Sequence, residues 1–475
     1  MEPVESAAAH LAHGKLTTID CVAQSLAVGP IFSAAAIGAI LAALSGGVSP
    51  FVVILTTIGI LGIGYCVAEF AKRYSGSGTV YEFVAHSLGK RPAVFTAGAY
   101  HFAALTLGGP GIGIIVGIQA HVFFDSHMGI DLPWWVWGLF FSAVIMVVNI
   151  VGVQVSVRTQ LTIIGVSVIP FLILIVAVLM DGGPNGLSLE SFNPANVAEG
   201  GSVFKGLLFG ILMFVGFELA AALGEETADP KRSIPIAVLS TILIVAVFYL
   251  ITQYVGVIGS GGTTFDFAAL GEEYVGRWLS VLIELAVLLD IIAVGIGFQA
   301  AVSRGLFTLA RDGLLPRPLA TTNRRNVPQN AQITIFVVTA VVIFIALGKY
   351  GTGALLAPDG SVIFPEEAFW AFLIASTVGG FIICIIYAIL CIAALRMFFS
   401  TKQALGIVAG LVGLVIAVLG VAAQFIEGTA PTGDAKWGRT LGVIGIIVVA
   451  LWLVLNMATR PQAVERAGEH TLHHA

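Results

Sequence analysis

Apolar runs of about 20 residues, the length a helix needs to cross a hydrocarbon layer of roughly 30 Å, recur along this chain almost from end to end. Twelve are counted, near 19–44, 50–71, 93–120, 134–151, 157–179, 203–224, 234–257, 278–308, 330–347, 367–396, 404–425 and 439–457. A backbone inside lipid must satisfy its own hydrogen bonds, so runs of this length predict helices. The expectation is an all-α membrane protein. Charged residues make up only 10% of the 475, against roughly 25% in an average soluble domain. The first run follows a polar start containing His10, His13 and Lys15. It is too long for the apolar core of a cleavable signal peptide, so it is expected to stay as the first span.

Lysine and arginine placement tests the count, because loops on the cytoplasmic side carry the positive excess. With the N-terminus inside, only Lys205, Arg277, Lys349, Lys436 and Arg439 of the 22 basic residues fall outside. An even number of spans with both termini cytoplasmic therefore fits, and an inner (cytoplasmic) membrane is expected. No loop is long enough for a separate soluble domain. The net charge of −5 is too small to indicate a partner, and no nucleic-acid footprint is present. Cys21, Cys66, Cys384 and Cys391 all lie in apolar runs without C-x-x-C spacing, which argues against zinc or a redox pair. No cofactor, metal cluster or nucleophile–base pair stands out, so an enzyme is not expected. In the third run Gly109, Gly113 and Gly117 repeat every four residues, a small-residue face suited to close helix packing.

Two runs are interrupted. "SLAVGPIFSAA" (25–35) puts Gly29-Pro30 near the middle of the first, and "LMFVGFELAAALG" (212–224) puts Gly216 and Glu218 in the middle of the sixth. Runs one and six occupy equivalent places if the chain holds two five-span repeats of opposite topology, 19–179 and 203–396. Two added spans (404–457) and terminal segments 1–18 and 458–475 then complete it. Matched breaks of this kind point to a binding site at the bilayer midplane. Pro30 has no N–H to donate, and its fixed φ suits the first position of a new helix. The restart predicts free amides at Ile31, Phe32 and Ser33, suited to a carboxylate at the positive end of a helix. Carbonyls near Val28, Gly29 and Phe214 to Gly216 are expected to take an ammonium. Phe214 and Phe217 flank the second break, either closing over a ligand or simply packing.

"FVGFELAAALGEETADPKRSIPIAV" (214–238) and "SRGLFTLARDGLLP" (303–316) resemble signature segments of amino-acid permeases in the amino acid, polyamine and organocation (APC) superfamily. The resemblance covers essentially the whole chain. It implies a LeuT-like fold of five plus five inverted spans with discontinuous helices 1 and 6, and an amino acid or related amine as substrate. Two features depart from the family pattern. Gly29-Pro30-Ile31 stands where members commonly carry a glycine–serine cluster, and Ser167 stands near the place of a lysine that serves some members instead of sodium.

Ionisable groups inside spans are costly and mark candidate sites. Glu218 either braces the break or carries a coupling proton. Asp290, some thirteen residues into the eighth run, is a cation or proton candidate, with a hydrogen-bonded structural carboxylate as the alternative. His101 is either a pH-sensitive group or a packing residue. Glu225 and Glu226 leave the sixth span where they can pair with Arg158 or Arg304 as an inner gate. Together these readings predict a secondary transporter in the lipid bilayer, a proton-coupled symporter in the first instance. An exchanger is the near alternative, and a channel is disfavoured by the lack of a repeated polar face.

Overall fold

The computed structural model describes residues 14–74, 76, 78, 80–353, 355–356, 362–364, 367–426 and 436–467. His10 and His13, and parts of both expected terminal segments, lie outside the described residues. Among those described, twelve helices are long and apolar enough to cross a membrane. We call them spans 1 to 12: Thr18–Ser45, Ser49–Ala71, Lys90–Met128, Trp134–Val151, Val155–Asp181, Val203–Leu223, Pro230–Ser260, Arg277–Arg311, Gln329–Tyr350, Phe369–Thr401, Ala404–Ala422 and Lys436–Thr459. Every run read from the sequence corresponds to one span. Span 3 runs about two turns further than its apolar core, ending at Met128, where Gly129 takes a left-handed conformation (φ 65°). Short helices Val80–Leu88 and Phe267–Tyr274 lie between spans, and a two-stranded antiparallel pair, Leu355–Leu356 with Val362–Phe364, precedes span 10.

The outside of the bundle is apolar. Val166 and Val176 of span 5, Ile345 of span 9, Val415 of span 11 and Leu451 of span 12 are each more than half exposed. Large apolar side chains in that position face lipid. Spans 1, 6, 8 and 10 are mostly buried instead, and spans 2 and 7 pack along each other.

Close helix approach relies on glycine. A Cβ on Gly117 would stand 2.3 Å from the Trp134 carbonyl oxygen, and one on Gly113 would stand 2.6 Å from Thr339 Cγ2. The glycine face of span 3 is thus a packing surface against spans 4 and 9. Gly305 of span 8 is tighter still: its Cβ would fall 1.5 Å from His101 Nε2. The His101 Nδ1 atom lies 2.7 Å from the Ala97 carbonyl oxygen one turn back. His101 is buried between spans 3 and 8 with one ring nitrogen held by its own helix. Gly305→Ala should destabilise the protein by about 1–3 kcal/mol, the usual cost of overpacking, measured by denaturation in detergent. Unchanged stability would mean that the His101 ring moves aside freely.

Candidate functional site

Span 1 is broken where the sequence places Gly29-Pro30. The helix Thr18–Ser25 tightens into a 3₁₀ turn, Leu26–Val28, and Gly29 adopts φ 64°, ψ 75°. A residue with a side chain rarely adopts that conformation. Helical structure restarts at Pro30 and continues to Ser45 through a wide π turn, Ser33–Ile37. Span 6 breaks opposite it. Its helix Val203–Leu212 gives way to a turn, Gly216 takes φ 118°, and the chain resumes as a 3₁₀ helix, Phe217–Leu223.

Between the breaks lies a small cavity of about 40 Å³. Val28, Phe32 and Ser33 of span 1 line it, with Leu212 and Val215 of span 6. Spans 3, 8 and 10 supply Leu107, Gly111, Ile112, Val294, Phe298, Phe372 and Ser376. The sequence reading missed this second group. A local signal existed in "LGGPG", where Pro110 widens span 3 into a π turn, Leu107–Gly111. The rest face the cavity only through tertiary packing. Its wall is almost wholly apolar, with the Ser33 and Ser376 side chains as its hydroxyls.

The predicted site residues divide into three groups. Val28, Phe32 and Ser33 line the cavity. Phe214 and Phe217 do not: both rings are fully buried, Phe214 edge-on to Tyr249 (5.2 Å) and Phe217 beside Tyr387 (5.8 Å). Both pack beside the second break, away from the cavity lining. The third group is the set of amides expected to meet a substrate carboxylate. The amides of Ile31 and Phe32 donate to Asp290 Oδ2 at 2.9 and 2.8 Å, and that of Ser33 donates to the Gly29 carbonyl at 2.7 Å. Carbonyls at the second break are engaged as well. Phe214 and Gly216 accept from Phe217 and Leu219, and Met213 accepts from the Tyr249 hydroxyl.

Glu218 ties three spans together. Its carboxylate accepts from the Tyr100 hydroxyl of span 3 (3.2 Å), the Tyr387 hydroxyl of span 10 (3.0 Å) and the Gly216 amide (3.2 Å). The Phe217 carbonyl next to it accepts from Ser25 Oγ at 2.8 Å, which links break to break. Ser167 is buried in span 5, and its hydroxyl has no hydrogen-bond partner among the described residues.

One end of the bundle, the end rich in lysine and arginine, is laced shut. Arg304 of span 8 pairs with Glu226 through its Nε and terminal nitrogen, with both side chains buried. Arg311 pairs with Glu225 at 2.9 Å. Of the two basic partners expected for these glutamates, Arg304 is used, whereas Arg158 is exposed and its place is taken by Arg311. Arg158 sits on the opening turns of span 5. The Glu226 carbonyl accepts from the amides of Lys15 and Leu16, and Ala228 donates back to Leu16, so the segment before span 1 is sewn to the segment after span 6. The helix Val80–Leu88, outside the spans, adds Tyr81, whose hydroxyl donates to Asp312 at 2.7 Å, and Glu82, which accepts from the Gly78 amide. Burial, abetted by the nearby Glu225 and Asp312 carboxylates, pushes the Glu82 carboxyl up to about 8. A raised pKa favours the packed end when Glu82 is protonated, and that contribution is lost as pH rises through about 8.

A model of the amino acid permease family matches residues 21–452. Among curated relatives, the branched-chain amino acid permease BcaP of Lactococcus lactis is 29% identical over 31% of this chain and 34% of its own length. The aromatic amino acid transport protein AroP of Escherichia coli O6:H1 is 27% identical over 45% and 50%, and the lysine-specific permease LysP of Escherichia coli K12 27% identical over 42% and 45%. The chain thus spans between a third and a half of the length of these three relatives. In fold it is similar to a manganese transporter of Eremococcus coleocola, solved with an aromatic bis-isothiourea substituted compound. That similarity has a TM-score of 0.53 at 8% identity and covers 97% of this chain and 99% of the other. The likeness shows a LeuT-like arrangement. With twelve spans, two matched breaks and a family match over nearly its full length, this integral membrane protein belongs to the amino acid permease family.

Proposed function

We propose that this chain is a secondary transporter that carries an amino acid or a related amine across the cytoplasmic membrane by alternating access, driven by protons. One observation carries the reading: a cavity lies between two broken helices, and ion pairs close the bundle at the basic end. With that end cytoplasmic, as the basic-residue asymmetry supports, both termini lie inside and the Glu226–Arg304 and Glu225–Arg311 pairs form the inner gate. Spans 1, 2, 6 and 7 rock against the remaining spans to open each side in turn. The apolar wall suits a substrate with a neutral, apolar tail. The relatives named above for branched-chain and aromatic amino acids are consistent with that wall; the lysine-specific one lacks a counterpart in it.

Glu218 and Asp290 are the buried acids beside the breaks, and a coupling proton is assigned to one of them. Uptake into membrane vesicles tests the reading. An inward proton gradient is expected to raise initial uptake several-fold above an ungraded control. Uptake that ignores the gradient but rises with preloaded counter-substrate makes the chain an exchanger and removes the proton.

A further inference from the structure

The backbone donors at both breaks are used by the protein itself. At the first, the Gly29 amide donates to Leu26, Pro30 has none, Ile31 and Phe32 donate to Asp290, and Ser33 donates to Gly29. The Ser33 hydroxyl donates to the Val28 carbonyl at 2.6 Å. At the second, Val215 donates to Leu212, Gly216 to Glu218 and Phe217 to Phe214. A carboxylate entering this apolar cavity finds none of these seven amides free, and burying a charge without partners is costly.

Asp290 is itself such a carboxylate, already in place. It is fully buried, forms no ion pair with any lysine or arginine among the described residues, and its Oδ1 accepts no hydrogen bond. It stands one helical turn from the cavity-lining Val294. Gly29 runs against both: a Cβ there would lie 2.1 Å from Val294 Cγ2 and 3.3 Å from Asp290 Oδ2. A carboxyl group with an open oxygen therefore sits beside Gly29 and one turn from Val294, just behind the cavity wall, and when ionised it is an unpaired negative charge. Its complement is a positive hydrogen-bond donor with no negative charge of its own.

We propose that Asp290 supplies from the protein the carboxylate that an amino acid would bring, and that the solute carried is an apolar primary amine lacking a carboxyl group. This rests on the transport reading above and narrows its substrate. The ammonium is drawn toward Asp290 and neutralises it, while the alkyl or aryl tail lies against Phe32, Leu107, Phe298 and Phe372. Removing the Asp290 side chain frees two amides at the start of a helical run, which turns the same place into a seat for a carboxylate.

The test compares ligands that differ only by the carboxyl group on the purified full-length protein: isoamylamine against leucine, and phenethylamine against phenylalanine, by binding and thermal stabilisation. Each amine is expected to bind at least tenfold more tightly than its amino acid. Asp290→Asn should lose at least tenfold in amine affinity, and Asp290→Gly should reverse the preference toward the amino acid. The wild-type comparison stands even where a variant fails to fold. Leucine or phenylalanine binding to the wild type in preference to the amine overturns this inference alone and leaves transport intact. Failure of all four to bind or to be taken up overturns both readings.

Discussion

Glu218→Ala is expected to abolish uptake and to cost about 3 kcal/mol or more in stability. Three donors converge on this buried carboxylate, the hydroxyls of Tyr100 and Tyr387 and the Gly216 amide. Hydrogen bonds to charged groups contribute about 1.5–3 kcal/mol each, and donors left without an acceptor pay their full desolvation cost. Alanine leaves all three unanswered and frees the second break from spans 3 and 10. Glu218→Gln separates bracing from coupling. Its amide keeps one acceptor oxygen and the side-chain shape, so a bracing residue should give a folded protein with weakened binding and an intact response to a proton gradient. A proton carrier should keep binding and lose the gradient response entirely. The measurements are denaturation in detergent, ligand affinity, and vesicle uptake with and without the gradient.

Arg304→Met should have an effect of similar size at the other end of the molecule. Breaking a buried ion pair by removing one partner typically costs 3–5 kcal/mol, because the remaining charge is stranded. Glu226 would be that charge, 0% exposed and fixed by the backbone bonds that join it to Lys15 and Leu16. The closed basic end is expected to open rather than hold an unpaired carboxylate. Cys21 reports the opening, since it is buried beneath the gate with its thiol 3.3 Å from the Thr227 hydroxyl. In a background lacking the other three cysteines, Arg304→Met should raise the rate of Cys21 alkylation at least tenfold. The double variant Glu226→Leu/Arg304→Met should return it toward the original rate, because an apolar pair strands no charge. Equal alkylation in all three proteins would show that the ion pair does not hold the gate.

The number and limits of the spans were legible because a lipid solvent leaves so few options: a run of about 20 apolar residues must be a helix. Both breaks were legible for a related reason. Gly29-Pro30 disfavours a continuous helix because Pro30 lacks an N–H and its ring crowds the preceding turn, and Gly216 takes a φ that other residues avoid. The family followed from dense local motifs at 214–238 and 303–316.

Local properties of each segment were readable along the chain: which runs cross, where two of them break, which end is basic, and that Glu226 and Arg304 are candidates for one gate. Which group answers which emerged from packing alone. Asp290 lies 259 positions from Ile31, and no periodicity or propensity relates them, so an amide that looks free along the chain is occupied in space. Arg158 and Arg311 are equally basic in sequence, yet only Arg311 ends its helix beside Glu225. Phe214 and Phe298 are equally aromatic, yet Phe298 lines the cavity while Phe214 packs on Tyr249. Backbone geometry is a short-range property and can be read residue by residue. Hydrogen-bond partners, burial and the wall of a cavity are properties of segments brought together, and they exist only once the bundle has packed.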